Sequence, residues 1–160
     1  VDFQLNLSSE TSARAHPEAP LVVSPSLSVG EVLQLMQANK RGSVMVCAAD
    51  HRLLGIFTER DVVKHLAGHG QGTKNGLDVA IEQVMVCDPV TVRGSDTVAQ
   101  AIAVVAEGGY RRLPVVDASG QPTGVLDVSR VLEYLVEHVP KVAYTLPPQL
   151  HQTSPQREGA

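Results

Sequence analysis

Moving 69 residues along this chain lands on the same chemistry a second time. Gly55 maps onto Gly124, Val23 onto Val92, Val46 onto Val115 and Leu66 onto Leu135. Two helix-start signatures obey the same offset: Ser28-x-x-Glu31 and Thr97-x-x-Gln100 both read as capping boxes. Behind them, Val32, Leu33 and Met36 are answered by Ala101, Ile102 and Val105. The strand-like run Val44–Cys47 returns as Leu113-Pro114-Val115-Val116. A tandem repeat with shared caps and shared apolar positions restricts the chain to two copies of one unit. A unit this small cannot bury both faces of a sheet alone, so the two are expected to pack together about a pseudo-twofold axis.

The order of elements within a unit follows from periodicity. Leu21-Val22-Val23 reads as a short strand ended by Ser24-Pro25-Ser26. Val29, Val32, Leu33 and Met36 fall at i, i+3, i+4 and i+7, the stripe of a core-facing helix that ends across residues 39–42. Val44–Cys47 and Leu53–Phe57 form a hairpin around the polar turn 48–52, and a second helix starts at Thr58 with Val62, Val63 and Leu66 on one face. Each unit is therefore strand, helix, strand, strand, helix, an α+β, sandwich-like fold.

Outside the repeats, residues 1–7 alternate apolar and polar as an edge strand would, and 8–20 read as a loop. Glycines at 68, 70, 72 and 76 mark a flexible linker, followed by a short helix over 78–85 with Asp78 as its N-cap. The resulting divisions are an extension (1–17), the first repeat (18–67), a linker (68–83), the second repeat (84–139) and a tail (140–160). Pro140, Pro147 and Pro148 suggest that the tail is mobile or wraps over a neighbour.

Composition excludes several classes of function. Net charge is −4 with no Lys/Arg cluster, which argues against a nucleic-acid partner. The longest apolar runs are strand-length, and the first residues do not read as a signal peptide, so no membrane association is expected. Cys47 and Cys87 each follow a valine-rich run and read as buried free thiols of a reducing, cytoplasmic compartment. His65 and His69 have helical metal-ligand spacing but no evident third ligand, so no metal is expected. No nucleophile–base pairing or paired-carboxylate cleft points to catalysis, and the chain is read as not an enzyme.

The chemistry concentrates in Gly55-Ile56-Phe57-Thr58-Glu59-Arg60-Asp61. A strand handing directly to a helix leaves unpaired N–H groups at the positive end of the helix dipole, where a phosphate can sit beside Thr58 and Asp61. Thr58-x-x-Asp61 is equally a capping box, which would account for both residues without a ligand.

This heptapeptide resembles the Gly-h-x-Thr-x-x-Asp signature (h apolar) of the CBS domain pair, the tandem cystathionine-β-synthase-type repeats also called a Bateman module. Val84–Val92 looks like the segment that opens a second repeat, and Tyr110–Val116 like the family's Arg-x-Leu-Pro-Val-Val strand. The resemblance covers roughly residues 18–139. It implies paired β-α-β-β-α repeats with two clefts between them, frequent dimerisation into a flat disc, and binding of AMP, ADP, ATP or S-adenosylmethionine as a regulatory ligand, with no obligatory cofactor. It would give Gly55, Ile56, Thr58 and Asp61 to the ligand site, with Asp61 on the ribose hydroxyls and Thr58 on the phosphate. Val86, Pro89 and Val90 would line an adenine slot, and Pro114 belongs to the strand entered by Arg111 and Arg112. Either arginine could bring positive charge to a phosphate, and a solvated pair of charges is the other reading.

The second copy departs from the pattern. Asp127 stands where the first has Thr58, and Arg130 where it has Asp61, so one nucleotide site per chain is expected. Val86 also replaces a frequent Thr hydroxyl. A homodimer is expected because Val131, Leu132, Leu135 and Val136 are more apolar than one helix face requires. No effector domain is read in the chain, so the regulated activity is expected on a separate protein. The alternative is a ligand-free dimerisation or protein-interaction module.

Overall fold

The computed structural model describes residues 11, 12, 15, 17–68 and 76–138. The first repeat contains β1 (Val22–Val23), α1 (Val29–Asn39), β2 (Ser43–Cys47), β3 (Leu53–Thr58) and α2 (Glu59–Gly68). The second contains β4 (Val86–Cys87), β5 (Val92–Arg93), α3 (Val98–Gly108), β6 (Arg112–Val116), β7 (Pro122–Asp127) and α4 (Val128–His138). They form a four-stranded sheet, β1-β2-β3-β4, and a three-stranded sheet, β5-β6-β7.

The 69-residue offset holds at the level of strand register. Val44 faces Phe57, Met45 faces Ile56 and Val46 faces Gly55; correspondingly Leu113 faces Leu126, Pro114 faces Val125 and Val115 faces Gly124. Both hairpins shift register at the same place, between Val46 and Cys47 and between Val115 and Val116. The helix caps repeat as well. Ser28 Oγ accepts from Glu31 N at 3.2 Å while Glu31 Oε2 accepts from Ser28 N at 2.8 Å; Thr97 and Gln100 repeat this at 3.1 and 2.8 Å. The Ser28 backbone N–H, and then its hydroxyl, hold the Glu31 pKa below its ordinary value. That cap is therefore intact above the carboxylate range and weakens as pH falls through it, whereas the neutral Gln100 cap is indifferent to pH.

Strand alternation divides the core. Val44, Val46 and Phe57 pack with Val29, Val32 and Met36 of α1, and Leu113, Val115 and Leu126 pack with α3 and α4. The opposite face brings Met45, Cys47 and Ile56 of the first sheet against Val125 of the second. Every residue of β2 is buried, because helices cover one side and the other repeat covers the other.

Each sheet is also extended by chain from the other repeat. β4 pairs with β3, Gly55 facing Cys87 and Ile56 facing Val86. Glu18 bridges Val125 through two backbone bonds of 2.9 and 2.8 Å. Two further bonds join the hairpin ends, Leu53 N to Gly120 O at 3.0 Å and Gln121 Nε2 to Asp50 O at 3.2 Å.

Several expectations are corrected. The segment 78–85 forms only a 3₁₀ turn, Ile81–Gln83, with Ala80 rather than Asp78 before it; Val29 N and Gly30 N of α1 donate to Val79 O and Leu77 O, and Ile81 N donates to Leu27 O, so the stretch ahead of the turn is tied to α1 and the loop before it. Cys47 is buried, and burial raises its pKa, but Cys87 is exposed, since β4 is a two-residue edge strand with both residues exposed. α2 buries no residue fully: Val63 is 67% and Leu66 46% exposed, because the stripe has turned past the sheet. The edge strand read over 1–7, linker residues 69–75 and the tail lie outside the described residues.

Gly55 is where β4 crosses most tightly. A Cβ there would lie 2.4 Å from Met85 Sδ and 2.9 Å from Val86 O. Gly55→Ala should therefore destabilise the fold by about 1–3 kcal/mol in urea titration. An unchanged midpoint would mean that β4 is only loosely docked.

Candidate functional site

The first cleft is built around the junction of β3 and α2. Thr58 ends β3, and the next N–H, that of Glu59, donates to Gly42 O at 3.0 Å. Asp61, one turn into α2, reaches back: its Oδ2 accepts from both the backbone N–H and the hydroxyl of Thr58, each at 2.9 Å. Thr58 Oγ1 in turn accepts from Asp61 N at 3.4 Å. The capping box read from the sequence thus forms, and it occupies one carboxylate oxygen. Asp61 Oδ1 has no hydrogen-bond partner among the described residues, and the side chain is half-buried.

β4 lies along the same junction, so Gly55, Ile56 and Val86 are brought together with Thr58 and Asp61. Beyond it, Asp88 takes a left-handed conformation (φ 46°) and donates its N–H to Leu54 O at 3.2 Å. This turn carries the chain to Pro89, half-buried, and Val90, 42% exposed; Val86 is 47% exposed. Arg111 is exposed, with its carbonyl accepting from Val128 N at 2.9 Å. Pro114 is buried mid-strand opposite Val125 and belongs to the packing between sheets.

Arg112 is found elsewhere. It faces Asp127 across the β6–β7 register, the positions occupied in the first repeat by Ser43 and Thr58. Its Nε donates to Asp127 Oδ2 at 3.1 Å, and its Nη1 donates to Gly42 O at 3.1 Å and lies 3.7 Å from Glu59 Oε2. It is neither a solvated charge nor a free phosphate clamp, but a tie between the two repeats. Gly42 leaves room for this tie, since a Cβ there would come within 2.3 Å of the guanidinium and displace it.

These contacts line the second cleft, a cavity of about 710 Å³ that includes Glu18, Arg41, Gly42, Arg112, Asp127 and Arg130. Most of its charges are paired, Lys40 being without an ion pair among the described residues. Arg41 pairs with Glu18, Arg112 with Asp127 and Glu59, and Arg130 with Glu133 at 3.6 Å. Asp127 Oδ1 also accepts from Ser129 N at 2.8 Å, so Asp127 still caps α4. Glu18, Arg41 and Glu59 were not singled out from the sequence; only pairing Arg112 with Asp127 by the 69-residue offset from Ser43 and Thr58 would have drawn attention to this cleft.

A second open cavity, about 630 Å³, lies at the β6–β7 turn. Its carboxylates are engaged in turn formation: Asp96 accepts from Arg93 N, and Asp117 from Ser119 N and Gln121 N. Among the described residues no cluster has the makings of a metal site. His65 Nε2 lies 2.6 Å from Gly76 O, and His69 is outside the described residues.

Two repeats of one α+β unit, exchanging edges around an open cleft, define a paired-repeat module. The CBS domain family matches both copies, residues 17–68 and 81–137, and the chain belongs to that family. An uncharacterized protein of Methanopyrus kandleri is 32% identical over 116 residues, covering 71% of this chain; the chain spans 58% of that relative's length. The crystal structure of a CBS-domain containing protein from Agrobacterium tumefaciens superposes with a TM-score of 0.69 at 29% identity, covering 78% of this chain and 98% of that one. CBSX2, a CBS-pair protein from Arabidopsis thaliana whose structure is a complex with AMP, gives 0.69 at 25% identity, covering 80% and 97%.

The side chains of Arg112 and Asp127 are both 23% exposed, so their pairing should be measurable but modest. A double-mutant cycle with Arg112→Ala and Asp127→Ala is expected to show a coupling of roughly 1 kcal/mol, reduced by added salt. Strictly additive effects would mean that Asp127 does not hold the Arg112 guanidinium in place.

Proposed function

We propose that this chain is a non-catalytic regulatory module that binds one adenosine-containing ligand, AMP, ADP, ATP or S-adenosylmethionine, in the first cleft between its CBS repeats. The observation that carries this reading is Asp61. Its Oδ2 holds the helix cap while its Oδ1 is left without a partner among the described residues. A carboxylate oxygen with open lone pairs suits the vicinal hydroxyls of a ribose, and accepting them leaves the cap in place. Thr58 and the start of α2 suit a phosphate, with Arg111 as the available cation, while the half-exposed Val86, Pro89 and Val90 suit a purine. CBSX2, the relative crystallised with AMP, supports the ligand class. The second cleft, where Arg130 stands at the position of Asp61 and Arg41, Arg112 and Asp127 are already ion-paired, supports a stoichiometry of one.

Ligand binding would act by biasing the angle between repeats or between subunits, and by no more than its differential affinity for the two arrangements. Val63, Leu66, Leu132 and Val136, all 46–67% exposed on α2 and α4, support a homodimer formed through these helices. The regulated activity would lie on another domain or protein. Free thiols at Cys47 and Cys87 fit a reducing, cytoplasmic setting. A second reading, a ligand-free dimerisation module, is favoured by the fact that Thr58 and Asp61 already satisfy each other.

Calorimetric titration with the four ligands tests the two readings. Saturable heat near one ligand per chain, weakened about tenfold or more by Asp61→Ala, is expected of a sensor; no heat with any ligand favours the interaction module. Light scattering should give a dimer mass that Leu132→Glu shifts toward the monomer, and a monomeric wild type would end the dimer proposal.

A further inference from the structure

The 69-residue offset relates not only the strands but also the two clefts, so the residues lining the open second cleft identify their counterparts in the first. Asp127 and Arg130 correspond to Thr58 and Asp61, Glu18 to Cys87, and Arg41 to Tyr110. The helix ends that aim these last two side chains are alike. α1 is followed by Lys40 in the left-handed region (φ 52°) and then Arg41; α3 is followed by Gly109 (φ 65°) and then Tyr110. In the second cleft this position holds a cation already paired with Glu18. In the first repeat's counterpart it holds an aromatic side chain, 39% exposed, and the residue corresponding to Glu18 is the uncharged Cys87.

The ring lies against the last turn of α3. A Cβ on Gly108 would come within 1.9 Å of Tyr110 Cε2, so the glycine leaves room for the ring in this position. A ring resting on a helix end on one side and exposed on the other offers a stacking surface.

From this placement we infer that Tyr110 is a specificity-determining residue of the first cleft, supplying the aromatic face on which the ligand's base stacks. The inference rests on the nucleotide reading above and deepens it. Asp61 and Thr58 recognise the sugar and phosphate common to many metabolites, and Tyr110 selects those that carry a planar base. The same position explains the asymmetry between clefts: replacing a ring by the Arg41–Glu18 pair removes the base platform, just as Arg130 removes the ribose acceptor.

The test compares AMP with ribose 5-phosphate, which keeps the sugar and phosphate but has no base, in the wild type and in Tyr110→Phe, Tyr110→Leu and Asp61→Ala. Leucine retains apolar volume beside Gly108 and so guards against simple unfolding. Tyr110→Leu should weaken AMP about fivefold or more while leaving ribose 5-phosphate unchanged, and Tyr110→Phe should retain AMP binding. Alkylation of the exposed Cys87 by iodoacetamide should slow when AMP is bound, locating the ligand in this cleft. If Asp61→Ala loses AMP but Tyr110→Leu binds it normally, the stacking role is overturned and the nucleotide reading stands. Equal losses of AMP and ribose 5-phosphate in Tyr110→Leu would reduce the ring to a structural part and overturn the inference. Absence of AMP binding by the wild type, or binding that leaves Cys87 alkylation unchanged, overturns the AMP reading of this cleft and the stacking role with it.

Discussion

Each sheet in this protein is extended by chain from the other repeat. Cys87 and Val86 pair with Gly55 and Ile56, and Glu18 bridges Val125. This exchange places the start of one repeat against the strand-to-helix junction of the other, which is where both clefts arise. It also imposes close backbone approaches, at Gly55 beneath Met85 and Val86 and at Gly124 beneath Pro17. The hydrophobic faces of two small sheets would supply cohesion in many orientations, since apolar burial is non-directional. The backbone bonds of the exchanged edges select one.

Within that frame the clefts have diverged by paired replacement. The register that sets Ser43 opposite Thr58 sets Arg112 opposite Asp127. A lone aspartate at the Thr58 position would have placed an uncompensated charge beside a buried strand end, at considerable cost. With Arg112 across from it, the charge is neutralised, the cap of α4 is kept through Ser129, and the guanidinium reaches the first repeat at Gly42 and Glu59. The replacement of Ser43 and Thr58 by Arg112 and Asp127 at this cleft thus makes a connection between the repeats.

The parts of the fold that were legible in the sequence are those fixed by local rules. Capping boxes at Ser28 and Thr97 and the alternation of Val44–Cys47 each require only neighbouring residues, and the repeat doubled every signal. The misreadings share one cause, a partner distant in sequence. Residues 78–85 have helical spacing, yet Leu77, Val79 and Ile81 spend their backbone groups on α1 and the loop before it. Val63 and Leu66 keep the helical stripe but stand where the sheet no longer reaches. Arg112 carries no local sign that its partners are Gly42, Glu59 and Asp127. Thr58 and Asp61 were recognisable as a pair, but the division of labour between the two oxygens of Asp61 is visible only in the geometry.

That geometry also connects the clefts. Gly42 O accepts from Glu59 N at 3.0 Å and from Arg112 Nη1 at 3.1 Å, and Glu59 sits between Thr58 and Asp61 on the first turn of α2. A ligand that drew Thr58 or Asp61 toward itself would move that turn, and with it one of two donors sharing a single carbonyl. Arg112 would then redistribute among Gly42, Glu59 and Asp127, changing the tie that spans the repeats. Because the tie is partly exposed, the energy it can transmit is small, on the order of 1 kcal/mol. A response of that size suits a module that shifts an equilibrium between arrangements rather than one that locks a single state.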